Sequence, residues 1–162
     1  MTGIFFGSTM GTTEAVAADI AKQLGVADAD VHNVADTPAG EVQKYDLLVL
    51  GSSTWGAGEL QDDWYDGIKI LKKADLTHKF VALFGCGDSD SYADTFCDGI
   101  GILYEDLKAS GCTFVGAVDT VGYTFDSSVA VVNGKFMGLP IDEVNEDGQT
   151  DERIAQWLSL IH

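Results

Sequence analysis

The chain has 162 residues, a length that suits one domain, residues 1–162, with a sizeable core. Its 26 acidic and 9 basic residues leave a formal net charge of −17, which excludes a basic face for nucleic acid and favours basic protein partners. No apolar run nears the ~18 residues of a membrane helix, and no charged-then-apolar leader opens the chain, so neither membrane insertion nor export is expected.

In chain order, the first apolar run is residues 3–6, read as a strand. The stretch Gly-Ser-Thr-Met-Gly-Thr-Thr-Glu (residues 7–14) follows, and then a helix with Val16, Ile20 and Leu24 on one face, widened by Ala17 and Ala21. A second strand is expected at 30–34, a short helical turn at 39–43, and a third strand at 46–51. Leu60, Trp64, Ile68 and Leu71 then repeat with helical spacing, before a fourth strand at 80–85. Phe96, Ile100, Leu103 and Leu107 mark the next helix, and 113–118 the fifth strand. Between residues 121 and 139, Asn133-Gly134 separates two β-prone stretches, a hairpin signal inside or beside that strand. The last helix carries Ile154, Trp157, Leu158 and Ile161. On this spacing Trp64 and Trp157 are core residues.

The runs at 47–50 and 81–84 are continuously apolar, as in strands covered on both faces. Strands alternating with helices give right-handed βαβ units and a doubly wound parallel sheet, whose ligands bind beyond the carboxyl ends of the strands. Three loops lie at those ends, at residues 7–13, 52–58 and 86–95.

The first loop offers backbone N–H groups at a helix start and the hydroxyls of Ser8, Thr9, Thr12 and Thr13. It lacks the Gly-Lys-Ser/Thr of a nucleotide P-loop, and no lysine or arginine precedes Lys22. It suits either a phosphate monoester held by neutral donors or a plain helix cap by Thr12 or Thr13. The second loop sets Trp55 beside Gly56 and Gly58, where a flat ring can face a ligand. The third sets Tyr92 among Asp88, Asp90 and Asp94. A calcium loop of EF-hand type would need a central glycine and a terminal glutamate, which are missing. His32, His78 and His162 are scattered, so no metal is expected, and three unpatterned cysteines, Cys86, Cys97 and Cys112, fit a reducing cytoplasm. One neutral phosphate cradle and two aromatics on one sheet edge fit a planar heterocycle with one phosphate, of which FMN is the natural candidate.

With these motifs the chain resembles a flavodoxin of the long-chain type over nearly its whole length. The residues that carry the resemblance are residues 7–14, Ser-Thr-Trp-Gly at 53–56, Gly-Cys-Gly-Asp with Tyr-Ala-Asp-Thr-Phe-Cys at 85–97, and the hairpin-bearing stretch to Leu139. The resemblance implies a flavodoxin-like five-stranded parallel sheet in the order 2-1-3-4-5, helices on both faces, and an insertion in strand 5. It implies noncovalent FMN and a low-potential one-electron carrier, shuttling between neutral semiquinone and anionic hydroquinone, with no substrate turnover of its own. Ser8, Thr9, Met10, Gly11, Thr12 and Thr13 would hold the phosphate. Ser53 and Thr54 to Gly58, including Trp55, Gly56 and Ala57, would line the ring's N5 edge, with a peptide turn at Gly56. Cys86, Gly87 and Asp88 would meet the pyrimidine edge. Trp55 and Tyr92 would stack on the two ring faces, and Thr95 and Cys97 are carried over with them. The implied partners are a flavodoxin reductase and low-potential donors or acceptors with basic docking faces, meeting Glu59, Asp62, Asp63, Asp88, Asp90 and Asp94 on a monomer.

Two departures from the family pattern stand out. Met10 replaces a usual threonine, and Val144 stands where an acid near the ribityl chain is common. A flavin-dependent NAD(P)H or quinone oxidoreductase on the same fold is the alternative, but no extra segment is evident to build a substrate pocket. A phospho-acceptor domain would need acids after the first strand, where Gly7-Ser8 stand.

Overall fold

The computed structural model describes every residue except Ala39, Gly56, Ala57 and His162. Parallel strands β1 (Thr2–Gly7), β2 (Val31–Asn33), β3 (Leu47–Trp55) and β5 (Phe80–Cys86) lie in the order β2-β1-β3-β5. Two short strands share the next place, both parallel to β5. β6 (Thr113–Val115) pairs with its first half, and β10 (Leu139–Ile141) with its second. The expected order 2-1-3-4-5 is therefore present.

The alternation of side chains along each strand sends them into two cores. Ile4 and Phe6 of β1, Val49 of β3, and Ala82 and Phe84 of β5 pack with α1 (Thr12–Leu24) and α4 (Thr150–Leu158). Phe5, Leu48, Leu50, Val81 and Leu83 pack on the other face, with α2 (Asp63–Lys73) and α3 (Asp98–Leu107). Trp64 and Trp157 are both buried, and each finds a partner for its indole N–H. Trp64 Nε1 donates to Gly51 O (2.7 Å), and Trp157 Nε1 donates to Gly116 O (2.9 Å).

Four expected boundaries move. Leu60 belongs not to α2 but to β4 (Glu59–Leu60), which folds back antiparallel on β3. Phe96 precedes α3, and the short turn expected at 39–43 is a 3₁₀ turn at Glu41–Lys44. The fifth strand does not run through 113–118. It stops at Gly116, whose φ of +85° is left-handed and whose Cα lies against the Trp157 indole, so a side chain fits neither the angle nor the space. The chain then leaves the sheet. β7 (Val118–Asp119), β8 (Val131–Val132) and β9 (Lys135–Phe136) form a small antiparallel sheet in the order β7-β9-β8 before β10 re-enters. The hairpin expected at Asn133-Gly134 joins β8 to β9, with positive φ at both turn residues.

Candidate functional site

The strand order reverses between β1 and β3, and a cleft of about 280 Å³ opens at the carboxyl ends of β1, β3 and β5. Ser8, Met10, Thr12, Thr13, Ser53, Thr54, Trp55, Cys86, Gly87, Asp88, Tyr92, Thr95 and Val144 line it. None of these side chains is cationic.

The first loop leads from β1 into α1. Gly11 caps the helix in a left-handed conformation, with no side-chain cap, so neither Thr12 nor Thr13 serves as the cap. Instead, both lie in the first helical turn. The loop closes on itself through Gly11 N–H, which donates to Ser8 Oγ (3.0 Å). Thr13 is buried at the cleft floor, and its hydroxyl has no hydrogen-bond partner among the described residues. An unpaired buried hydroxyl costs roughly 1–3 kcal/mol, and such an atom fits a site completed by a ligand. Met10 is 80% exposed at the rim.

On the second loop, Trp55 is 39% exposed, and its Nε1 donates to Ser53 Oγ (3.1 Å), which fixes the ring beside the cleft. Thr54 Oγ1 accepts from Gly99 N–H (2.9 Å) and ties the loop to α3. Gly58 N–H donates back to Trp55 O (3.1 Å). The expected peptide turn at Gly56 and Ala57 lies outside the described residues.

The third loop is bound into a network of its own. Asp88 Oδ1 accepts from Asp90 N–H (3.1 Å), Ser91 N–H (2.9 Å) and Asn145 Nδ2 (2.8 Å). The backbone hydrogen bond from Ser91 leads in holding the Asp88 carboxyl below its ordinary range. Buried Asp142 accepts from Ser89 N–H (3.1 Å), Ser89 Oγ (2.5 Å) and Asn145 N–H (3.0 Å). Burial acts to raise the Asp142 carboxyl, but the Ser89 and Asn145 donors outweigh it and hold the group low. Tyr92, at 53% exposure, faces the cleft from this loop.

The structure brings most expected residues together and leaves four outside the lining. Thr9 turns its hydroxyl to Gln61 Nε2 (3.1 Å). Gly11 serves as the helix cap. Gly58 packs against Asp98 and Thr95. Cys97 is buried beneath Gly87, and its Sγ donates to Gly85 O (3.7 Å). Burial pushes the Cys86 thiol up to about 12 and Cys97 well above its ordinary value, so both remain neutral thiols.

Sequence reasoning set Val144 near the ribityl chain, as the cleft lining bears out, but missed that residues 142–145 form a fourth loop after β10 that supplies Asp142 and Asn145 to the network. The signal was present in Asp-Glu-Val-Asn after an apolar triplet, but that triplet was not recognised as a strand end.

Comparison with known proteins agrees with this fold. The Flavodoxin family model matches residues 4–157. Flavodoxin 1 of Azotobacter vinelandii is 43% identical over 163 residues, covering 98% of this chain and 94% of the relative. Flavodoxin 1 of Escherichia coli K12 is 44% identical over 162 residues, covering 99% and 92%. The crystal structure of Fusobacterium nucleatum flavodoxin bound to flavin mononucleotide has a TM-score of 0.90 to this fold, at 32% identity, covering 98% of this chain and 94% of that one. On these matches, the chain belongs to the flavodoxin family.

Proposed function

We propose that the chain is a low-potential electron carrier that holds one FMN in the cleft, residues 1–162 acting as one unit. The observation that carries this reading is the pairing of a neutral donor loop with two exposed aromatics on one sheet edge. FMN supplies one-electron chemistry when bound.

Ser8, Thr12, Thr13 and the N–H groups opening α1 hold the phosphate without a cation, through charge-assisted hydrogen bonds and the helix dipole. Trp55 and Tyr92 flank the ring and keep water from its faces. Gly87 and Asp88 offer backbone groups to its polar edge. Asp88, and exposed Glu59, Asp62, Asp90 and Asp94 with half-buried Asp63, make added negative charge in the cleft unfavourable. With FMN bound, those residues would disfavour its more negatively charged reduced state and would so set the carrier's working range at low potential. The same carboxylates steer basic faces of a reductase and of low-potential donors or acceptors onto a monomer in the cytoplasm. No helix among the described residues is long and apolar enough to cross a membrane.

A potentiometric titration of the FMN-loaded protein followed by visible absorbance should resolve two one-electron steps, the second lower. A single two-electron step, or NAD(P)H oxidation by the protein alone, favours the oxidoreductase alternative instead.

A further inference from the structure

Gln61 lies between β4 and α2, is only 1% exposed, and lines no part of the cleft. The proposed function gives it no role, yet every polar atom of its side chain is spoken for. Its Oε1 accepts from Asp63 N–H (3.0 Å), which fixes the orientation of the amide. Its Nε2 therefore has two protons to place. One goes to Asp63 Oδ2 (2.8 Å) and the other crosses to the first loop, to Thr9 Oγ1 (3.1 Å). Its backbone N–H donates to Ser52 Oγ (3.2 Å) at the end of β3.

Gln61 thus joins three elements that meet at the cleft: the first loop, the end of β3 and the start of α2. Apart from its internal Gly11 to Ser8 bond, the first loop has no other side-chain tie in the structure's described hydrogen bonds between Ser8 and Gly11. Gly7, just before the loop, leaves no room for a side chain against Gln61 and Trp64, so the amide is seated directly on the loop's root.

We infer that Gln61 is a positioning residue for phosphate: its amide holds the first loop through Thr9, so that the loop's donors stand ready for an anion. It contributes to selection of a phosphorylated flavin over the same ring without phosphate. The inference rests on the FMN reading above. A loop held in its bound geometry loses less entropy on binding, and an untethered loop binds the anion more weakly. A donor of the buried amide left unpaired also perturbs the root of the loop.

The test is the ratio of FMN to riboflavin affinity in the apoprotein, measured by fluorescence quenching for the unaltered chain and for Gln61→Leu, Thr9→Val, Thr9→Ser and the double variant Gln61→Leu/Thr9→Val. The two single substitutions that break the tether should each lower the ratio about fivefold, by loosening the loop. Thr9→Ser, which keeps the acceptor oxygen, should preserve the ratio. Because both breaks cut the same tie, the double variant should lose no more than either single one. Equal loss for both flavins, or losses that multiply in the double variant, would overturn the positioning role. Should Gln61→Leu not fold, Thr9→Val against Thr9→Ser decides alone, and an unchanged ratio in Thr9→Val overturns the inference. An unaltered chain that binds FMN no better than riboflavin sinks the FMN phosphate reading itself, a separate result.

Discussion

The two ends of the cleft are built in opposite ways. At the first-loop end, the loop is closed by one internal hydrogen bond and one tie to Gln61, while the Thr13 hydroxyl beneath it has no partner among the described residues. At the other end, the loop that carries Tyr92 is bound by Asp88, Asp142, Ser89 and Asn145, and needs nothing further. The difference separates affinity from shape. One end keeps donors in reserve for a ligand, and the other holds an aromatic wall whether or not a ligand is present.

The comparison breaks most severely at Asp142. Asp142→Ala removes the buried acceptor shared by half-buried Ser89 and exposed Asn145, and should lower stability by about 2 kcal/mol in urea unfolding. It should also change the response to acid. Asp142 is held below its ordinary range in the fold, so its contribution is whole above that range and is lost as pH falls through the lower folded value. The variant should therefore lose less stability between neutral and acid pH than the unaltered chain. Parallel pH curves would show that the network does not hold the charge.

Thr13→Val should separate the two ends. Removing an unpaired hydroxyl while keeping the shape should leave apoprotein stability unchanged or higher, yet weaken FMN about tenfold by loss of one charge-assisted bond. A drop in apoprotein stability would mean that the hydroxyl already has a partner, with the adjacent Cys86 thiol the first candidate.

The smallest effect is expected at Met10. Its side chain is 80% exposed, so a threonine there competes with water for the phosphate. Met10→Thr should tighten FMN about threefold, within the net value of an ordinary hydrogen bond. An unchanged dissociation constant would show that the backbone and the neighbouring hydroxyls already satisfy the anion.

Much of this architecture was legible from residue spacing. The two buried tryptophans follow from helical period, because Trp64 and Trp157 each continue an apolar stripe. The same period misplaced Leu60. It faces the same core as α2, but it lies in β4, paired antiparallel with β3 just before that helix, so a hydrophobic stripe can cross an element boundary unseen. The fifth strand was misjudged for a related reason. Apolar residues continue past Gly116, but they serve a second, antiparallel sheet, and spacing does not report which sheet a strand joins. The Asp142 network was illegible because its two halves lie 53 or more residues apart and meet only once β10 is laid against β5.

If the cleft takes a flavin with its phosphate on the cation-free first loop, the apoprotein must discriminate FMN from riboflavin. Titration of the apoprotein with FMN, followed by quenching of flavin fluorescence against Trp55 and Tyr92, tests it most directly. Saturation is expected at one FMN per chain, with riboflavin binding more weakly. Absence of saturable FMN binding, or equal affinity for the two flavins, contradicts it.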